Sequence, residues 1–107
     1  MSTPIIELEA IRGTDFSEII TLADSEGAPV STNNAKALFV LRTHEKGSVL
    51  MEKDNQSGIS FGSSNLEIRI TEAELDSIPY DTLHYSLFIH LQGDVKKKIA
   101  RGKFVIE

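Results

Sequence analysis

Residues 66–91, LEIRITEAELDSIPYDTLHYSLFIHL, constrain the fold more than any other stretch of the chain. Leu66, Ile68 and Ile70 recur at alternate positions and so share one face of an extended strand, and Tyr85, Leu87, Ile89 and Leu91 do the same. Between them lies the chain's one helical signal. Thr71 stands where an N-cap would, and Glu74, three residues on, completes a capping box. Pro79 then bars a longer helix. A strand, one turn of helix and a second strand that begins near a tyrosine predict a corner in which the Tyr85 hydroxyl bonds back to the corner's own backbone.

The rest of the chain reads as short strands separated by turn signals. Residues 5–11 form a first run, and Phe16, Ile20 and Leu22 are in phase in a second, over 16–23. A tight turn over 24–29 follows, with Gly27 suited to positive φ and Pro29 confining the exit. After a polar connector at 31–34, residues 35–42 are apolar on both faces at their centre, which predicts a mid-sheet strand. The weak runs 48–52 and 59–61 predict edge strands. Gly93 and Asp94 predict a hairpin tip, and 95–106 a final strand in which Gly102 relieves twist or crowding. The expected fold is a single all-β domain over residues 1–107, an immunoglobulin-like antiparallel sandwich of about 7–9 strands with one short helical turn near 71–77. Its core is expected from Phe16, Ile20, Leu22, Phe39, Leu41, Leu66, Ile68, Ile70, Leu87, Ile89, Phe104 and Ile106.

At 107 residues, 40% hydrophobic and 25% charged, the chain has the make-up of one globular domain and no apolar run long enough to span a membrane. It has no cysteine, which removes disulfides and thiolate chemistry. Its start, MSTPIIELEA, lacks the basic residues and apolar core of a secretory signal, so export by that route is not expected. A net charge of −5 argues against nucleic-acid binding, which usually needs a concentrated cationic face. The one basic run, Lys96, Lys97 and Lys98 with Arg101 and Lys103 nearby, divides between two faces of an extended strand and reads as protection of a solvated edge strand.

No catalytic or metal-binding constellation emerges. His84 and His90 lie on one face of a strand but about 20 Å apart, and His44 sits in a turn, so the three read as surface imidazoles rather than zinc ligands. Asp24, Asp54 and Asp94 at loop tips lack calcium-loop spacing. Gly58, Ile59, Ser60, Phe61 and Gly62 spell the letters of a nucleophile elbow, but that motif needs a strand, turn and helix on an α/β sheet. Glu72, Glu74 and Asp76 suit the start of a helical turn. No cofactor is expected. Tyr80, Phe61 and Phe88 are the aromatic residues available to a binding face, and Phe88 points opposite to the Tyr85, Leu87 and Ile89 stripe.

Read end to end, the chain resembles the small immunoglobulin-like sandwich proteins encoded among phage and prophage structural genes, including baseplate and tail-associated domains. The resemblance is carried by Arg12-Gly13-Thr14-Asp15-Phe16, Ile20-Thr21-Leu22, Asp24-Ser25-Glu26-Gly27-Ala28-Pro29-Val30, the 35–42 strand, 66–71, Tyr85-Ser86-Leu87, Gly93-Asp94-Val95 and Gly102-Lys103-Phe104-Val105-Ile106. The polar connector at 31–34 departs from the glycine-containing turn expected there. The resemblance implies a non-enzymatic virion protein of a tail, baseplate, neck or head decoration. It would be made in the bacterial host cytoplasm and would assemble with its own copies and with other virion proteins.

A carbohydrate- or ligand-binding module is the alternative, weakened by the absence of tryptophan. Neither nucleic acid nor membrane is an expected partner. Because the sequence closes one residue after Ile106, the final strand is expected to lie uncovered and to border the interface. Phe88, Lys96, Lys97, Lys98 and Val105 are the candidate interface residues, with Phe88 and Val105 as its apolar centre.

Overall fold

Alternating apolar and polar residues resolve into eight strands and one helical turn in the computed structural model, which describes residues 5–23, 26–93 and 95–107. In chain order these are β1 (Leu8–Ala10), β2 (Phe16–Thr21), β3 (Lys36–Arg42), β4 (Val49–Asp54), β5 (Ile59–Phe61), β6 (Asn65–Ile70), α1 (Glu72–Asp76), β7 (Thr82–His90) and β8 (Lys96–Ile106). A five-stranded sheet has the order β1-β8-β7-β3-β4, and a three-stranded sheet the order β2-β6-β5. All neighbours are antiparallel except β1 and β8, which run parallel. That pair departs from the fully antiparallel sandwich expected. As foreseen, β3 lies inside its sheet while β4 and β5 are edges. The tip at Gly93 has positive φ; Asp94, like Asp24 and Ser25, lies outside the described residues.

The inward faces of the two sheets close on one core. Phe39 stacks on Tyr85 with ring centroids 5.6 Å apart and meets Phe104 edge-on at 6.2 Å, and Phe16 meets Phe104 at 5.0 Å. Leu41, Leu66, Ile68, Ile70, Leu83 and Leu87 are fully buried around them. Ile20 and Leu22 pack on this cluster only half-buried, because β2 is an edge strand. Glu18 takes a position in phase with Phe16 and Ile20, opposite Ile68. An inward-pointing charge on an edge strand deters pairing with another chain.

The corner between β6 and β7 is built as the capping box requires. The Glu74 amide donates to the Thr71 hydroxyl at 3.2 Å, and the Thr71 amide to the Glu74 carboxylate at 3.0 Å. The loop before β2 clasps the same corner. The Arg12 guanidinium donates to the carbonyls of Leu75, Ile78 and Tyr80 at 2.9–3.1 Å and pairs with Asp81, while Asp15 accepts from the Glu72 amide at 2.7 Å. Asp15 thereby pairs an amide of the helix's first turn, and Arg12 gathers carbonyls from the helix end and the segment that follows it.

Tyr85 does not close the corner as predicted. Its hydroxyl donates instead to the Ile6 carbonyl at 2.6 Å, far away in sequence, and so ties the N-terminal segment over β7 and β8. The Ile6 amide donates to the Arg101 carbonyl at 2.9 Å. Gly102 makes this crossing possible: a Cβ there would lie 2.5 Å from the Ile6 carbonyl oxygen, and its φ is +151°. Crowding is thus relieved at Gly102 as expected, and by a partner the sequence did not reveal.

The expectation of an uncovered final strand is overturned over half its length. β8 lies between β7 and β1, with Leu8, Glu9 and Ala10 opposite Phe104, Val105 and Ile106. Only the half from Lys96 to Ala100 lacks a second neighbour strand among the described residues.

Candidate interaction face

The outward face of the five-stranded sheet gathers most of the side chains singled out in the sequence. On β3 the inward residues are Ala37, Phe39 and Leu41, so Lys36, Leu38, Val40 and Arg42 point outward. The register places His90, Phe88, Ser86 and His84 of β7 beside them, and Asp54 and Glu52 of β4 beside Leu38 and Val40. On β8 a bulge intervenes. Leu87 pairs with Ala100 but Phe88 with Lys98, leaving Ile99 as the extra residue. Beyond the bulge the phase reverses, so Lys96 and Lys98 share the outward face with Arg101 and Lys103.

Half-buried Phe88 is the apolar centre of one end of this face. The ammonium groups of Lys96 and Lys98 lie 5.0 and 5.5 Å from its ring centroid, within range of cation–π attraction. Lys36, Leu38, His90 and Lys96 join Phe88 around a shallow pocket of about 170 Å³. The neighbouring outward positions, Val40 and Ser86, are already buried within the face.

Of the five candidate interface residues, Phe88, Lys96 and Lys98 are brought together. The lysine run was expected to divide without forming a patch. It does divide, since Lys97 pairs with core-facing Ile89, yet the other two converge on one ring. Val105 is outward but sits at the far end of the sheet, opposite Thr82 and Glu9, roughly 20 Å from Phe88 along the strands. It cannot share a buried centre with Phe88. The aromatic face does not assemble either: Phe61 packs on the core, and Tyr80 lies exposed at the β6–β7 corner.

His84 differs from the surface imidazole expected. It is half-buried on the outward face, with Nδ1 sealed from solvent and without a hydrogen-bond partner. Burial is the main reason that its pKa falls below the usual histidine value. Among the described residues no three His, Asp or Glu side chains gather as metal ligands. Asp54 accepts from the Gln56 amide at 2.9 Å in a tight turn; Asp24 and Asp94 lie outside the described residues. Ser60 is exposed in the middle of β5, with an extended strand where an elbow would be.

Sequence reasoning missed the ion pair between Lys53 of β4 and Glu74 of α1. Lys53 faces inward opposite Phe39 and is buried. Its contact with Glu74 is the largest of the effects that hold the Glu74 carboxyl below the usual carboxylate range. An inward-phased lysine on a weak strand was the available signal.

No protein-family model matches the chain, and no curated protein does. Among solved structures it is similar to a chain studied for the multimeric cell-adhesive interactions of voltage-gated sodium channel (VGSC) β subunits, with a TM-score of 0.54 and 16% identity over 96% of this chain and 92% of that one. It is also similar to the extracellular domain of the channel's β4 subunit, solved as parallel homodimers and related to cell–cell adhesion. There the TM-score is 0.47 and the identity 15%, over 100% of this chain and 96% of that one. The fold is therefore an immunoglobulin-like β-sandwich. Identities this low carry the architecture and nothing further.

Proposed function

We propose that this chain is a non-enzymatic assembly module that acts by protein–protein association through the outward face of its five-stranded sheet, as a structural or adaptor part of a phage particle. The observation that carries the association is Phe88, a half-buried aromatic ring framed by two lysines on the outward sheet face. Such an anchor, ringed by charges that steer an approaching partner, has the make-up of an interface centre. The virion setting is supported by the sequence resemblance in residues 12–30 and in the strands that follow.

The test is a binding assay with phage particles assembled without this protein. Purified wild-type protein should bind them stoichiometrically, and the Phe88→Asp variant should not while keeping its fold. If wild-type protein leaves the particles bare, the virion setting is wrong. If Phe88→Asp binds as well as wild type, the particle is reached through another surface, and this face is left to association between copies of the chain.

A further inference from the structure

We infer that the partner on this face is a second copy of the same chain, seated face to face about a two-fold axis that runs along the strands. The inference rests on the association proposed above and adds its occupant and geometry. Across the outward face the charges are ordered by strand. One row reads Lys98, Phe88, Leu38, Asp54 from β8 to β4, and the next reads Arg101, Ser86, Val40, Glu52. Each row is basic at the β8 end, apolar or small in the middle, and acidic at the β4 end.

A two-fold axis parallel to the strands reverses this order in the copy. Lys98 then faces Asp54 of the second copy, Arg101 faces Glu52, and Phe88 lies on Leu38, each contact occurring twice as an isologous interface demands. The alternative axis, across the strands, would set β8 on β8 and bring basic residues together. Glu52, Asp54 and Lys98 are exposed. Arg101 makes an ion pair with the exposed Glu45 at 3.4 Å, which releases it at little cost. The rows on either side, Lys96-His90-Lys36 and Lys103-His84-Arg42, have no acidic end and belong to the rim.

Four strands of this length present roughly 450 Å² of sheet, against about 800 Å² per partner in a standard stable interface. An area below the standard calls for a test that reaches high concentration, up to about 1 mM.

Sedimentation equilibrium of three chains tests the arrangement: wild type, Glu52→Lys/Asp54→Lys and Lys98→Glu/Arg101→Glu. Glu52, Asp54 and Lys98 are exposed and Arg101 is half-buried; because Asp54 also accepts from the Gln56 amide, circular dichroism and urea unfolding of each variant check the fold. Wild type should show a monomer–dimer equilibrium, and either variant alone should dimerise at least about tenfold more weakly, because like charges now face each other. Mixing the two variants should restore dimers, since both sets of facing charges become opposite again. A wild type that stays monomeric at about 1 mM overturns the inference, as does a dimer indifferent to the charge changes or a mixture that does not recover. Should wild type stay monomeric while Phe88→Asp still abolishes particle binding, the face stands and its occupant is a different protein.

Discussion

Tyr85 shows how much one hydroxyl can hold in place. Its ring lies in the core against Phe39, and its oxygen reaches the Ile6 carbonyl. Burial, with a smaller effect from the Glu18 carboxylate, raises its pKa to about 12. A phenol whose folded pKa lies above its unfolded value of about 10 favours the fold fully below pH 10, and that contribution is lost as the pH rises towards 12. Chemical denaturation of wild type from pH 8 to 12 should therefore show a fall in stability that begins near pH 10. Tyr85→Phe should lower stability by about 1–2 kcal/mol at neutral pH, through the lost bond and the stranded carbonyl, and should flatten the alkaline fall. An unchanged alkaline profile in Tyr85→Phe would refute this account. The sequence placed Tyr85 correctly on the inward stripe. It did not reveal the acceptor, because a contact between residues 6 and 85 depends on β1 running parallel to β8, and three residues of strand leave almost no periodic trace.

At the scale of the element, what was legible is what is local. The capping box of α1 spans three residues and follows from Thr71 and Glu74 alone, and the edge positions of β4 and β5 follow from their short, polar-interrupted runs. The gathering of Lys96 and Lys98 over Phe88 was not legible, because strict alternation from Phe104 through Ala100 assigns those lysines to the core face. The bulge at Ile99 reverses their phase, and no residue there announces it. The Lys53–Glu74 pair joins two elements whose register the sequence does not encode locally, and its energetics are testable. Removing one partner leaves a buried ammonium without its counter-charge, whereas replacing the lysine by an apolar chain of similar length removes the need for one. Glu74→Gln should cost about 1–3 kcal/mol in urea unfolding, and Lys53→Met clearly less. Because the Glu74 pKa is depressed, the contribution of the pair is present above the unfolded carboxylate pKa and lost as the pH falls through the folded one. The gap between wild type and Glu74→Gln should accordingly narrow in acid. Equal losses in the two variants would mean that the ion pair does not govern this corner.

For the whole molecule, the two faces of the large sheet differ in surroundings, and adjacent residues of β7 fall on opposite sides of that division. Leu87 is fully buried between the sheets, where it fills the single core on which both sheets depend. Phe88, one position on, meets Leu38 and two lysines on the outer surface. Leu87→Ala should cost about 2–5 kcal/mol, from lost transfer energy and the cavity left behind, a large share of the total stability of a domain this size. Phe88→Ala removes a side chain that solvent already reaches and should cost no more than about 1 kcal/mol in the monomer. Its effect should appear in association, as weaker dimers in sedimentation at high concentration. The two substitutions thus separate stability from assembly within one dipeptide, by urea unfolding in dilute solution and sedimentation at high concentration. If Phe88→Ala destabilises the monomer as much as Leu87→Ala does, the ring belongs to the structural core, and the outward face loses the anchor on which the proposed association depends.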